Sequence, residues 1–407
     1  MSYQSLERVV RIGFLALLLG SAACGGGGGA VEAPQPPPFD YEYAQPAATG
    51  DGWAVAHAAD AGIDVARLEA MMNSIQGGAF DYVDSIVVAQ DGKLVFDETI
   101  RKVTDAEDGR VGNTNLKMHA QFSTTKSITG VAVGIAIEQG YLPGVDAPYL
   151  GLFPYSSYDN WDERKQEMTL GHVLAMQSGL AWNEWNPPYS SPDNQLIRFY
   201  ETEVDFTKRL LDLPLAADPG TAFAYNTVAT VSLAQAIENN APLSFVDFGQ
   251  NELLLPLGIS DVEFLTTPTG LPNTGGGFYF LTRDMVKFGQ LALDGGRWND
   301  EQIVSAAWID ELVTLRTAIT WENPEEWHWQ LDGYGYHWWL GHYEIDSTVY
   351  DTWAMWGFGG QWVVVVPELN LVVAINSHGY DNDDGALNQV HELIARYVIP
   401  AVGSSIL

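Results

Sequence analysis

The chain has 407 residues, of which 46% are hydrophobic and 12% aromatic, enough to bury a large core in one domain or two lobes. Lysine and arginine total 19 against 52 acidic residues, so the formal net charge is −33. This balance argues against binding to nucleic acid or to an anionic membrane surface through charge, and we interpret it as surface solvation.

The N-terminus has the pattern of an export signal over residues 1–23. Arg8 and Arg11 precede an apolar run that is too short to span a bilayer, and small residues then lead to Cys24. This end resembles a bacterial lipoprotein signal, which implies lipidation of Cys24 and a location in the periplasm or at the outer membrane. Ordinary cleavage after Ala23 is the alternative, because Ser21 stands where an aliphatic residue is usual.

Residues 24–52 are rich in glycine, proline and alanine, a composition that predicts a flexible tether. The folded domain is therefore expected over residues 53–407. A helix is predicted from Asp64 to Met72, and Asp91-Gly92 indicates a hairpin turn between two strands.

The rest of the chain predicts a sheet domain interrupted by a mainly helical lobe over about residues 150–265. Further helices are expected from Ser123 to Gly140, at Leu170–Met176, Phe206–Leu211 and Val228–Glu238, and over residues 283–293 and 385–397. Strands are expected at Trp338–Leu340, Trp362–Val366 and Leu371–Ile375. Strands near both ends around a helical middle favour an α/β (α+β) fold, a sheet flanked by helices with a second, helical lobe.

The segment from Phe122 to Lys126 contains a serine followed three residues later by a lysine, at the start of a nearly uncharged helix. The i, i+3 spacing places the hydroxyl of Ser123 and the amine of Lys126 side by side. No other lysine of the chain follows a serine at this spacing. The pattern predicts a nucleophile beside a base, with a helix-capping serine and a snorkelling lysine as the alternative.

Further motifs follow in an order that resembles the serine hydrolases of the β-lactamase and penicillin-binding fold, in particular their class C-like esterase and amidase branch, which includes 6-aminohexanoate-dimer hydrolases. They are Met176-Gln177-Ser178-Gly179-Leu180, Pro219-Gly220-Thr221 leading to Tyr225, Pro256-Leu257-Gly258, Gly276-Gly277, Arg283-Asp284 and Gly357-Phe358-Gly359-Gly360-Gln361. The resemblance implies an antiparallel sheet flanked by helices. It also implies that Ser123 is the acylated nucleophile, that Lys126 helps to deprotonate it, and that Tyr225 shuttles the proton to the leaving group.

The resemblance also implies an oxyanion hole formed by the backbone N–H groups of Ser123 and Phe358. Two departures from the pattern stand out: Thr227 replaces the usual asparagine two residues after the tyrosine, and the usual Lys-Thr-Gly or His-x-Gly motif is absent. The aromatic and glycine-rich stretch 353–361 stands in its place. We expect the substrate to contact Trp182, Trp338, Trp356 and Gly357.

The sequence thus predicts an exported serine hydrolase that cleaves ester or amide bonds of small, neutral or cationic substrates through an acyl-enzyme. Activity of the D-amino-acid peptidase or β-lactamase type is an alternative, as is a non-catalytic peptidoglycan-binding module on the same fold. No cofactor and no metal are expected, since the histidines lack metal-ligand spacing and the cluster Asp381, Asp383 and Asp384 is interpreted as a solvated turn. A membrane is expected as a partner only through the lipid anchor.

Overall fold

The computed structural model describes residues 40–104, 106–112, 118–202, 205–320 and 328–403. The predicted signal peptide and Cys24 lie outside the described residues.

A nine-stranded sheet forms the centre of the described part of the chain. Across all of its sheets, the described part of the chain has the strands β1 (Ala54–Val55), β2 (Val83–Gln90), β3 (Lys93–Thr99), β4 (Met118–Ala120), β5 (Glu263–Phe264), β6 (Phe278–Leu281), β7 (Arg297–Trp298), β8 (Glu301–Gln302), β9 (Thr317–Ala318), β10 (Trp329–Tyr334), β11 (Trp339–Ile345), β12 (Thr348–Gly357), β13 (Gln361–Val366) and β14 (Leu371–Ser377). The order in the large sheet is β1-β3-β2-β14-β13-β12-β11-β10-β9, and only the short β1 pairs in parallel, with β3. Strands β4 to β6 form a small second sheet, and β7 pairs with β8.

Helices cover the sheet and are the main regular structure in the middle of the chain, so the predicted fold class is confirmed, with a mixed rather than a purely antiparallel sheet. They are α1 (Val65–Gln76), α2 (Ala106–Val111), α3 (Thr124–Glu138), α4 (Leu170–Leu174), α5 (Gln195–Tyr200), α6 (Phe206–Leu211), α7 (Thr227–Asn240), α8 (Phe245–Gly249), α9 (Thr282–Leu293), α10 (Ala306–Leu312), α11 (Asp383–Leu393) and α12 (Ile399–Gly403). Single turns of 3₁₀ or π helix lie at Ala58–Ala61, Tyr149–Leu152, Glu163–Glu167, Gln250–Leu254, Pro367–Leu369 and Ile394–Val398. Within the described residues, no helix combines the length and the apolar character needed to cross a bilayer.

The turns and caps follow from local sequence. Asp91 and Gly92 both have positive φ, 49° and 71°, as a tight hairpin turn requires, and they join β2 to β3 as predicted. The carboxylate of Asp64 accepts a hydrogen bond from the N–H of Ala66 and caps α1.

The large sheet is buried on both faces because each central strand sends alternate side chains into two separate cores. Val363 and Val365 of β13 join the core that contains α3, whereas Val364 and Val366 join the core that contains α11. Helix α3 is buried from Thr124 to Ala136, which explains its nearly continuous run of small and apolar residues. The residue that begins this helix is thereby held in a rigid part of the molecule.

Part of the predicted tether is bound to the domain. Within residues 40–52, Tyr41 donates its N–H to Asn73 and its hydroxyl to Glu98, and the hydroxyl of Tyr43 donates to the carbonyl of Val95. Asp51 forms an ion pair with Arg283, a residue of one of the family motifs. Composition alone could not predict this docking, because it depends on acceptors that are distant in sequence.

Candidate active site

Ser123 stands at the junction between the small sheet and the buried helix α3. Strand β4 pairs with β6, and the chain then turns through Phe122, whose φ of 45° is unusual for a residue with a side chain. Ser123 occupies the N-cap position of α3, but its side chain makes no capping hydrogen bond. The hydroxyl is therefore not used to cap the helix, which removes that alternative.

Lys126 is buried beside this hydroxyl, with only 1% of its surface exposed. Its Nζ donates to Oγ of Ser123 at 2.9 Å and to the carbonyl of Gly275 at 2.5 Å, and it lies 4.7 Å from the centre of the Tyr225 ring. Burial lowers the pKa of Lys126 to about 8, although the negative charge of Glu184 partly opposes the effect. Lys126 is therefore not a snorkelling surface residue, and a substantial fraction of it is neutral near pH 8.

Gly275 brings its carbonyl to Lys126 because it can approach helix α7 closely. A Cβ at this position would lie 2.6 Å from the carbonyl oxygen of Thr227, so no larger residue fits without a shift. The neighbouring Thr274 donates its hydroxyl to Thr230 of α7 and accepts, at its carbonyl, a hydrogen bond from Thr129 of α3. The segment formed by Thr274 and Gly275 thus connects α3 and α7, the two helices beside the site.

Tyr225 is brought next to Ser123 by the segment before α7. Its side chain faces the hydroxyl of Ser123, and the centre of its ring lies 4.7 Å from Nζ of Lys126. Burial raises the pKa of Tyr225 well above its ordinary value, and Glu184 acts in the same direction. The phenol is therefore protonated when Lys126 is neutral, which suits it to donate rather than to accept a proton.

Glu184 is a buried carboxylate that the sequence analysis missed. It is 1% exposed and accepts hydrogen bonds from the indole of Trp182, the N–H and hydroxyl of Thr227, and the hydroxyl of Tyr189. Hydrogen bonds to a charged group contribute about 1.5–3 kcal/mol each, so this cluster fixes the loop against the start of α7. Thr227, the departure from the family pattern, serves here as a donor to Glu184. An acidic residue between two tryptophans was the available signal.

The oxyanion positions predicted at Ser123 and Phe358 lie close together. A Cβ on Gly357 would be 2.3 Å from the carbonyl oxygen of Gln121, and the rings of Phe122 and Phe358 are 5.5 Å apart. In the described parts of the chain, neither the N–H of Ser123 nor that of Phe358 donates to another backbone group. Two such free N–H groups on adjoining segments can stabilise a developing negative charge.

Asp383 holds the glycine turn that follows Phe358. Its carboxylate accepts the N–H of Gly359 at 2.6 Å, and Gly359 and Gly360 have φ of 80° and 86°. Burial raises the pKa of Asp383 to about 6. The interpretation of this acidic cluster as a solvated turn was therefore wrong for Asp383, since it contacts a segment distant in sequence.

Of the four residues predicted to contact substrate, Trp182 and Gly357 lie near the catalytic side chains, Trp356 is half-buried, and Trp338 lies in the core. Trp182 lines a cavity beside Tyr225, and Gly357 lies against the segment that leads to Ser123. Trp356 is half-buried and stacks on Trp362 at 5.1 Å. Trp338 is 0% exposed and belongs to the core, so its assignment to the cleft was wrong.

Trp339, the next residue along the chain, lies at the site in the position predicted for Trp338. Trp339 stacks on Tyr225 at 5.7 Å, because successive residues at the start of β11 point to opposite faces of the sheet. Trp185, which is 42% exposed, stacks on the same tyrosine at 5.3 Å. Tyr189 contacts Phe358 on the other side of the site. Both Trp185 and Tyr189 were missed by the sequence analysis.

Comparison with known proteins shows the family to which the chain belongs. The β-lactamase family model matches residues 65–396, and the chain therefore belongs to the β-lactamase family of serine hydrolases. The resemblance drawn from the ordered motifs is thereby confirmed.

The chain is similar to several characterised members of this fold. It is 26% identical over 233 residues to a 6-aminohexanoate-dimer hydrolase from Paenarthrobacter ureafaciens, a match that spans 54% of this chain and 57% of that protein. It is similar in structure to the octameric penicillin-binding protein homologue from Pyrococcus abyssi, with a TM-score of 0.59, 21% identity and coverage of 82% and 78% of the two chains. It is also similar to EstCE1, a hydrolase with promiscuous acyltransferase activity, with a TM-score of 0.60, 14% identity and coverage of 81% and 98%. The two structural likenesses show the fold alone.

Proposed function

We propose that the protein hydrolyses ester or amide bonds of small substrates through an acyl-enzyme on Ser123. The observation that carries this proposal is the 2.9 Å contact from the buried amine of Lys126 to a serine hydroxyl that caps no helix. The similarity to a 6-aminohexanoate-dimer hydrolase and the fold shared with EstCE1 support the same class of reaction.

The geometry suits a sequence of proton transfers among three side chains. Neutral Lys126 takes the proton of Ser123 as Oγ forms a bond to the substrate carbonyl carbon, and the carbonyl oxygen becomes negative between the N–H groups of Ser123 and Phe358. The bond to the leaving group then breaks, the leaving group takes the phenolic proton of Tyr225, and that proton is replaced from Lys126. Water attacks the acyl carbon with the same groups accepting its proton, and Ser123 regains its hydrogen.

The burial of Lys126 favours this enzyme over a non-catalytic binding module. Burial that lowers the pKa of a lysine to about 8 weakens folding at neutral pH, because the charged form is held in an apolar environment. A protein that only bound peptidoglycan would have no use for a poised amine 2.9 Å from a serine hydroxyl. The three side chains together are therefore better explained by catalysis.

The cleft favours uncharged acyl and leaving groups. Aromatic rings flank Ser123 on two sides: Trp185 stacks on Tyr225, and Phe358 contacts both Phe122 and Tyr189. Among the described residues, Lys126 is the only cation that lies over the rings of Phe122, Tyr189, Tyr225 and Phe358. An anionic substrate would therefore lack the charge-assisted partner that the missing Lys-Thr-Gly lysine would supply.

We predict that short-chain p-nitrophenyl esters are hydrolysed with a higher kcat/KM than the β-lactam nitrocefin, compared at one pH and salt concentration. Loss of one charge-assisted hydrogen bond to the β-lactam carboxylate weakens binding by about 1.5–3 kcal/mol, roughly ten- to a hundredfold. Short linear amides belong in the same screen. A nitrocefin value equal to or above that of p-nitrophenyl acetate or butyrate would contradict the substrate assignment and support the β-lactamase alternative.

Export as a lipoprotein is a separate proposal that is supported by the sequence around Cys24. Two or more lipid chains on one residue anchor a protein stably, so Cys24→Ala is expected to move the protein from the membrane fraction to the soluble periplasmic fraction of a bacterial host. Fractionation followed by immunoblotting measures this. The Ser123→Ala protein should fractionate like the wild type, and a wild-type protein found wholly in the soluble fraction would overturn the proposal.

A further inference from the structure

Glu184 lies beside the catalytic group but has no place in the reaction sequence above. Its side chain is buried, and it reaches the site from the loop between α4 and α5. We propose that Glu184 is a positioning residue whose fixed negative charge, acting against burial, moves to higher pH the range over which Lys126 can accept the proton of Ser123. The inference rests on the proposed function, because it assigns a role within that same site.

The contacts of Glu184 fix where its charge lies. One carboxylate oxygen, Oε2, accepts the indole N–H of Trp182 at 2.8 Å and the backbone N–H of Thr227 at 2.7 Å. The other, Oε1, accepts the hydroxyls of Thr227 at 2.6 Å and of Tyr189 at 2.9 Å. The side-chain amide of Asn194 holds the backbone carbonyl of Glu184 at 2.6 Å. The carboxylate therefore cannot turn towards solvent or act as a mobile base without breaking these contacts.

Thr227 connects this carboxylate to the catalytic residues. It follows Tyr225 by two positions and begins helix α7, and its carbonyl lies against Gly275, whose own carbonyl accepts a hydrogen bond from Lys126. Glu184 thus holds the first residue of α7, directly after the segment that presents Tyr225. Its charge acts on both partners of Ser123, since it raises the pKa of Lys126 and that of Tyr225.

The other titratable groups that face this region leave Glu184 as the charge that acts on Lys126. They are Tyr189, Tyr200, Tyr225, Tyr334 and His337. Burial raises the pKa of each of these tyrosines, so all are neutral phenols at physiological pH. Burial and the nearby charge of Lys126 lower the pKa of His337 to about 3, so its imidazole is neutral as well.

The sign of the effect follows from two opposed causes. Burial disfavours the ammonium form of Lys126 and lowers its pKa to about 8, whereas the charge of Glu184 favours the ammonium form. Without that charge burial acts alone, and the pKa of Lys126 falls further. The base then becomes available at lower pH, so the acidic limb of the activity profile moves to lower pH.

The hydrogen-bond pattern makes Glu184→Gln a clean removal of charge. The amide oxygen can take the place of Oε2, where both donors are N–H groups, and the amide nitrogen can take the place of Oε1, where both partners are hydroxyls. A hydroxyl can accept as well as donate, so all of these contacts can be kept after the hydroxyls rotate. The variant should therefore fold with a melting temperature close to that of the wild type.

The test is the pH dependence of two rates, ester hydrolysis as kcat/KM and covalent labelling by a fluorescent phosphonate. The wild-type acidic limb is expected near pH 8, and that of Glu184→Gln about one pH unit lower, the lower end of the effect of a nearby opposite charge on a buried group. Glu184→Asp keeps the charge while it disturbs the contacts, so its limb should remain near that of the wild type. Tyr189→Phe removes one hydrogen bond and keeps the charge, with the same expectation.

Any result other than these expected shifts contradicts the proposed role of Glu184. An unchanged limb in Glu184→Gln, a shift to higher pH, or an equal shift in Glu184→Asp would show that the charge does not set the pH range. An unfolded Gln variant beside a folded Asp variant would contradict the contacts from which the role is derived. These failures leave the proposed function intact, which fails instead if Ser123→Ala is still labelled by the phosphonate.

Discussion

Replacement of Ser123 by alanine is expected to lower kcat for p-nitrophenyl esters by about 10⁵–10⁶-fold and to abolish phosphonate labelling. Loss of a nucleophile has this size because the remaining groups retain only the stabilisation of the oxyanion and of substrate binding. Thermal stability should change little, since the hydroxyl caps no helix and Lys126 keeps the carbonyl of Gly275 as its acceptor. Steady-state kinetics, labelling and thermal melts measure these three quantities.

A second serine on the same helix provides the matched control. Ser127 lies one turn further along α3, is buried, and donates its hydroxyl to the carbonyl of His337 at 2.6 Å. Ser127→Ala should lose some stability but should be labelled as the wild type is. Normal turnover or labelling of Ser123→Ala would show that the nucleophile has been misassigned.

The second large effect is expected for Lys126→Met, which should lower kcat/KM by at least about 10³-fold. Methionine has similar length and no amine, so the variant removes the base without opening a cavity. The melting temperature at neutral pH should not fall by more than a few degrees, because the substitution also removes a poorly solvated ammonium group. Residual activity should no longer show an acidic limb near pH 8.

Lys165 allows a comparison with a second buried lysine. It is fully buried, and its Nζ donates to the backbone carbonyls of Leu211 at 2.8 Å and Asp159 at 3.3 Å. Lys165→Met should leave kcat/KM close to the wild-type value. Equal losses in Lys126→Met and Lys165→Met would mean that a buried lysine serves the fold and not the reaction.

The pH dependence of the free energy of unfolding of the wild type should reflect the buried amine of Lys126. The folded-state pKa of Lys126, about 8, lies below its ordinary value of 10.5. The unfolded chain therefore binds more protons between these two values, and stability rises with pH through that window. Below pH 8 the cost of the buried ammonium is fully present, and Lys126→Met should remove this contribution.

Much of the site could be predicted because it depends on local spacing. Ser123 and Lys126 are one helical turn apart, so the start of a helix is sufficient to place them together. The hairpin at Asp91-Gly92 is equally local, since both residues must adopt positive φ. Tyr225 lies on a different segment, and the sequence alone indicated it only through the ordered motifs of the family.

Other features were decided only by tertiary contacts. Whether Trp338 or Trp339 faces the site depends on the register at which β11 joins the sheet, and a shift of one residue exchanges the two faces. The docking of Tyr41 and the position of Asp383 on the glycine turn likewise depend on partners far away along the chain.

Glu184 illustrates why some features can be predicted from local sequence and others depend on tertiary contacts. Spacing along a helix or a tight turn is set by the geometry of a few consecutive residues, so the chain itself determines it. An acidic side chain between two tryptophans of a loop is a weaker local signal, because the sequence is equally compatible with a solvated carboxylate. Only the folded chain brings Thr227 to within 2.7 Å of Glu184 and places the carboxylate where its charge acts on Lys126.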